Sequence, residues 1–287
     1  MLARILTGAV LIPIVVALVW YAPPLLLAAI ASGVAILALL EFFRLAEGAG
    51  LRAFRGWTIV STLAIFLSQA FAGVQTVLRD EPNHVTISRG FAAEYLSLDV
   101  VLIVFLLGSA IIILATRRPI HEALPAIGAS SAGLLFIALP FSYLVRLNEI
   151  PDQGRQLVLF TLCLVWAGDI VAYFVGRGIG RVRMAPILSP KKTWEGAAGN
   201  LAASIAVGYA FARWMQAGVS AIILIAALAN IAGQIGDLLE SAYKRGASVK
   251  DSGGILPGHG GMLDRIDSLI LAAPVVWVLF LWFGRAR

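Results

Sequence analysis

Six carboxylates gather at or near the ends of apolar runs in the second half of this sequence: Asp169, Asp237, Glu240, Asp251, Asp264 and Asp267. If a helix carries the apolar run 218–236 a few turns further, Asp237, Glu240, Ser241 and Lys244 fall at i, i+3, i+4 and i+7, on one face. Asp264, Asp267 and Ser268 repeat that spacing at the start of the next apolar run. Residues 246–263 between them hold six Gly and one Pro, a composition for a tight loop whose backbone comes close to a ligand. Two acid-bearing helix ends joined by such a loop make a cation site. Carboxylate oxygens suit Mg²⁺, which keeps several waters and bridges a few protein carboxylates to substrate phosphates. Lys244, Arg245, Lys250 and Arg265 would neutralise those phosphates. Singly, each of these residues is an ordinary loop charge; six acids at the edge of hydrocarbon are costly together and favour function.

Two further segments could contribute. In SPKKTWEG (189–196) the pattern predicts Ser189 as a helix cap and Pro190 as the first helical residue, with Lys191, Lys192 and Thr193 in the first turn. Free backbone N–H groups, two ammonium groups and a hydroxyl would then face an anion such as phosphate. The Walker A spacing is missing. In GDIVAYFVGRGIGR (168–181) Asp169 lies deep in an apolar run and shares a helix face with Tyr173, so both should point to a polar cavity rather than to lipid. The glycines there lack the dinucleotide-binding spacing. His259 is a candidate base or ligand, but without a Cys/His partner set it makes no zinc site.

The elements that hold these residues follow from composition. The 287 residues are 60% hydrophobic and only 13% charged, with a mean hydropathy of +0.91. Charge this sparse cannot coat a soluble core of that size, so the excess apolar surface must face lipid. Cys163 is the only cysteine, which excludes an intrachain disulfide. A bilayer core takes roughly 20 helical residues. Nine runs qualify, at about 5–21, 24–40, 57–74, 100–116, 126–145, 157–175, 196–215, 218–236 and 268–284. The run 196–215 is the weakest, being interrupted by Asn200 and Arg213. The expected fold is an all-α polytopic membrane protein of about nine transmembrane helices. Residues 1–150 hold five spans with ordinary loops, and residues 151–287 hold four spans and the chemistry.

With the N-terminus in the cytoplasm, Arg4 and the loops 41–56, 117–125, 176–195 and 237–267 collect 15 of the 22 Lys and Arg, as the positive-inside rule requires. Arg79, Arg89, Arg146, Arg155, Arg213, Arg285 and Arg287 fall on the other side. The polar site then faces the cytoplasm. The first run lacks a small-x-small cleavage site and is expected to be retained as a helix. Small-residue faces suit a homodimer contact or packing within one chain equally.

The run from Ser241 to Asp267, SAYKRGASVKDSGGILPGHGGMLDRID, contains S-x-x-K-R, K-D, P-x-H-G-G and D-R-x-D unbroken. It closely resembles the signature of the phosphatidate cytidylyltransferases, or CDP-diacylglycerol synthases, and SPKKTWEG and GDIVAYFVGR also look like that family's segments. The resemblance implies transfer of CMP from CTP to phosphatidate, yielding CDP-diacylglycerol and pyrophosphate, in a bacterial inner membrane and with no nucleic-acid partner. It further implies a metal centre of Mg²⁺, with K⁺ as a second cation, held by Asp237 and Asp264. By motif, Ser241, Lys244, Lys250, Asp251, Arg265 and Asp267 are expected in catalysis, and Asp169, Ser189, Lys191, Lys192, Arg245 and His259 in substrate binding.

Overall fold

Where lipid offers the backbone no hydrogen-bond partner, a chain this apolar closes its bonds within helices. The computed structural model describes residues 2–71, 75–81, 84–89, 96–116, 119–254 and 260–284. His259, Arg285 and Arg287 lie outside them. The helices are α1 (Leu2–Tyr21), α2 (Pro24–Gly48), α3 (Arg55–Phe71), α4 (Leu98–Ala115), α5 (Ile120–Asn148), α6 (Gly154–Ile179), α7 (Trp194–Met215), α8 (Val219–Gly246) and α9 (Leu263–Leu279). Each expected apolar run lies on one of them. Among the described residues, α2, α4, α5, α6, α8 and α9, the last with its continuation to Phe283, are long and apolar enough to cross a membrane. α3, with 17 residues, is shorter than the roughly 20 that a bilayer takes.

Two antiparallel hairpins add to the all-α expectation: β1 (Gln75–Glu81) with β2 (His84–Arg89), and β3 (Arg183–Ala185) with β4 (Ser189–Thr193). α5 is not uniform. A π turn at Leu134–Ala138 precedes Pro140, whose ring would otherwise crowd the carbonyl four residues back.

The helices pack in two groups. α6 lies along α7, α7 along α8 and α8 along α9; α2 and α3 pack on α5, α4 packs on α3, and α5 joins the groups by packing on α9. Small residues bring the helices of the second group together. A Cβ on Gly208 of α7 would stand 2.8 Å from the Cβ of Ala226 on α8, which is how helices approach when no water drives their association. The core is continuous, with Phe43, Phe66, Leu134, Phe160 and Phe280 fully enclosed. The outer faces are apolar as well; on α4, Ile103, Leu106, Leu107, Ile111 and Leu114 are all exposed.

Candidate functional site

The turn between α6 and α7 builds one wall of the site. Arg183 pairs with Thr193 and Ala185 with Ser189, so the strand runs through Pro190 and the two lysines. This corrects the expected helix start. Ser189 and Pro190 do not open the helix; α7 begins at Trp194, and Thr193 caps it by accepting from Gly196 N at 3.1 Å. Thr193 outcompetes Ser189 because strand pairing satisfies the backbone before it, and a Thr cap satisfies an orphan N–H of the first turn. The Glu195 carboxylate accepts from Val182 N at 3.2 and 3.3 Å and fixes the hairpin to α7.

Strand alternation then sets the lysines apart. Lys191 is exposed, while Lys192 is half-buried and forms an ion pair with Asp237 of α8. Around this pair opens a cleft of about 600 Å³, lined by Asp169, Tyr173 and Arg177 of α6, Lys191, Lys192 and Thr193 of the hairpin, Gly196 and Asn200 of α7, and Gln234 and Asp237 of α8. Asp169 and Tyr173 share this cleft as their spacing predicts, and the Arg177 guanidinium donates to the Tyr173 hydroxyl at 2.9 Å. The first turn of α7 still borders the cleft, so the anion-facing geometry survives one turn later than expected.

Two acids, Asp169 and Asp237, line the cleft, and others stand close enough to act on them through charge. Asp267 faces the charges of Asp237, Glu240 and Asp169, and Arg265 brings a positive charge toward Asp169. Gly236 makes this approach possible, since a Cβ there would stand 2.5 Å from the Asp267 carbonyl oxygen. Below the acids runs a polar string that the sequence reading left out, apart from Asn200. The Asn230 amide donates to Asn200 Oδ1 and, at 2.7 Å, to Ser204 Oγ; Gln234 Nε2 donates to Asn230 Oδ1 at 2.6 Å. Asn200 Nδ2 reaches Asp169 at 3.5 Å.

Lys244, Asp264 and Glu240 form a second cluster beside the first. Lys244 Nζ pairs with Glu240 and, at 2.6 Å, with Asp264 Oδ1. Asp264 Oδ2 accepts from Ser252 N at 3.1 Å and Gly261 N at 2.8 Å, and the Ser252 hydroxyl oxygen lies 3.0 Å from it. Asp237 and Asp264 thus stand with different lysine partners. Ser241 is buried on α8, and Lys250 and Asp251 are exposed after that helix. Arg245 donates to Leu188 O at 3.1 Å and Val249 O at 3.0 Å, tying the end of α8 to the hairpin. Glu41 of α2, which the sequence reading assigned to a loop, is wholly buried against this cluster. Its one sequence signal is a lone acid inside LLEFF.

The donors suit a hard cation. They are carboxylate oxygens, and among the described residues no three of them, with or without imidazole or thiolate, form a ready cage. Magnesium that is shared with a substrate's phosphates takes only one or two protein carboxylates.

Comparison with known proteins adds an independent line. The model of the family described as "Cytidylyltransferase family" matches residues 2–283. A phosphatidate cytidylyltransferase of Brucella abortus is 43% identical over 175 residues, which is 61% of this chain and 63% of the relative. The Bacillus subtilis protein of that name is 36% identical over 160 residues, 55% of this chain and 60% of the relative. That of Staphylococcus saprophyticus is 37% identical over 150 residues, 52% and 56%. The matched stretches therefore span about three fifths of these relatives' own length.

Proposed function

The chain belongs to the cytidylyltransferase family, and on that premise we propose that it transfers CMP from CTP to phosphatidate, releasing pyrophosphate and leaving CDP-diacylglycerol in the membrane. The observation that carries this reading is the cleft itself. One opening brings together Asp169, Lys191, Lys192 and Asp237 from three separate segments, among helices apolar enough to meet lipid. A soluble triphosphate and a lipid phosphate can both reach such a place.

In this reading a phosphatidate oxygen attacks the α-phosphorus of CTP in line, and the bond to the β-phosphate bridging oxygen breaks. A phosphate monoester is largely ionised near neutral pH, so no strong base is needed. The protein's work is positioning and charge neutralisation. Lys191, Lys192 and the first turn of α7 hold phosphate oxygens, Arg265 and Lys244 supply positive charge at the acid cluster, and Tyr173 with Arg177 borders the lipid side. Magnesium would be held by Asp237 and Asp264, with Asp169 in substrate binding and Asp267 in catalysis beside them. Bound there, it supplies Lewis-acid neutralisation of the triphosphate; K⁺ is the second cation of this proposal.

All nine helices cross the bilayer in this arrangement, with the N-terminus and the cleft on the cytoplasmic side of a bacterial inner membrane, where CTP is available. In this proposal Ser241, Lys250 and Asp251 serve catalysis, and Ser189, Arg245 and His259, the last outside the described residues, serve substrate binding. The test is an assay of detergent-solubilised protein with labelled CTP. Pyrophosphate release that needs CTP, phosphatidate and Mg²⁺ together is expected. Release of CDP would instead identify a CTP-dependent lipid kinase and overturn the reading.

A further inference from the structure

The N-terminal half holds one buried acid whose placement an anchoring role does not explain. Glu41 sits on α2 with no exposed surface. Its Oε1 accepts from Met262 N at 3.0 Å, and its Oε2 accepts from Leu263 N at 2.9 Å and from Ser252 Oγ at 2.9 Å. These partners lie 211 to 222 positions away along the chain. A buried carboxylate is costly unless donors surround it, and an apolar residue of similar size would serve packing alone more cheaply.

Two of the donors it collects are helix-start amides. Met262 stands at the N-cap position of α9 and makes no side-chain cap, and the first amides of a helix have no intrahelical acceptor. Glu41 supplies the missing cap from another helix. Its second grip is on Ser252, whose hydroxyl stands between Glu41 Oε2 and Asp264 Oδ2. One carboxylate thus holds both ends of the glycine-rich segment 252–263. The segment is fitted to it, because a Cβ on either Gly253 or Gly261 would collide with the Glu41 carboxylate.

We propose that Glu41 is a positioning residue for the transfer reaction: by clamping both ends of segment 252–263 it sets where the first turn of α9 holds Asp264 against Lys244 and carries Asp267 beside the acids of α8. The catalytic part of this inference rests on the function proposed above. The N-terminal helices then contribute to the reaction geometry as well as to the lipid contact. Glu41→Gln keeps the volume but turns one acceptor into a donor facing backbone N–H or hydroxyl groups. Glu41→Asp keeps both acceptors on a shorter arm.

The full-length protein in detergent allows both readouts. In Glu41→Gln, amide exchange at Met262 and Leu263 should accelerate by about tenfold or more. In the same variant kcat should fall roughly 10²-fold, as a misplacement of about an ångström would cause, with KM for phosphatidate within about twofold of the parent. The Mg²⁺ concentration for half-maximal rate should rise, and Glu41→Asp should recover part of kcat. Unchanged exchange at the two amides would defeat the clamp. Faster exchange with normal kcat and Mg²⁺ dependence would show a clamp that positions nothing, and so would a loss of rate that merely follows a lower melting temperature. A parent protein without CTP-dependent pyrophosphate release would defeat the functional reading, and that failure is distinguishable because the exchange measurement needs no turnover.

Discussion

Lys192 and Asp237 form an ion pair that ties the strand before α7 to the cytoplasm-proposed end of α8. Both side chains keep more than a quarter of their surface exposed, at 28% and 29%, so the pair contributes at most about 1 kcal/mol to stability. In the proposed function its value lies in holding an ammonium group for a substrate phosphate. Lys192→Ala should lower kcat/KM by roughly 10²- to 10³-fold with little change in melting temperature. Steady-state kinetics beside a thermal melt in detergent check the two halves of that statement.

Asp264→Asn should abolish CMP transfer in a protein that still elutes as a folded species. The carboxylate takes Lys244 on one oxygen and two backbone N–H groups on the other, and an amide cannot accept on both sides. Normal pyrophosphate release by this variant would refute its part in holding magnesium.

Gly168 of α6 faces the Asn200 amide so closely that a Cβ would overlap it. Gly168→Ala should destabilise the protein by about 1–3 kcal/mol, the usual cost of overpacking. The displaced Asn200 would also loosen its contact with Asp169. A lower melting temperature with reduced kcat is expected; an unchanged melt would contradict the packing described.

Chelation by EDTA should stop turnover and leave the fold intact. Without the ion, Lys192 already pairs with Asp237, and Lys244 bridges Glu240 and Asp264. Helicity followed by circular dichroism should therefore hold while the rate falls to background, and added Mg²⁺ should restore it.

Residues that share a helix face were legible in the sequence. Asp237, Glu240, Ser241 and Lys244 lie on α8, and Asp264 and Asp267 on α9, because the period of 3.6 needs no knowledge of the rest of the fold. The helix runs were legible for the same reason. The β3–β4 hairpin was not, since Ser189-Pro190 and Thr193 both offer a helix start and only strand pairing decides between them. Glu41 was hidden by distance along the chain: nothing in LLEFF indicates that its partners are Ser252, Met262 and Leu263. The Asn230 and Gln234 amides were hidden because a single polar side chain in an apolar run reads the same with or without a partner.

The amide string beneath the cleft also bears on how the chain enters the bilayer. α7 carries Asn200 and Arg213 and is not among the helices whose composition alone suffices for crossing. Its buried Asn200 and Ser204 find their donors on Asn230 of α8, and Ser204 donates in turn to Leu164 O of α6 at 3.3 Å. Released alone into lipid, α7 would carry bare amide and hydroxyl groups. On the proposed crossing of α7, its insertion is expected to depend on α8, the next helix to emerge during synthesis, and on α6, which together supply these partners.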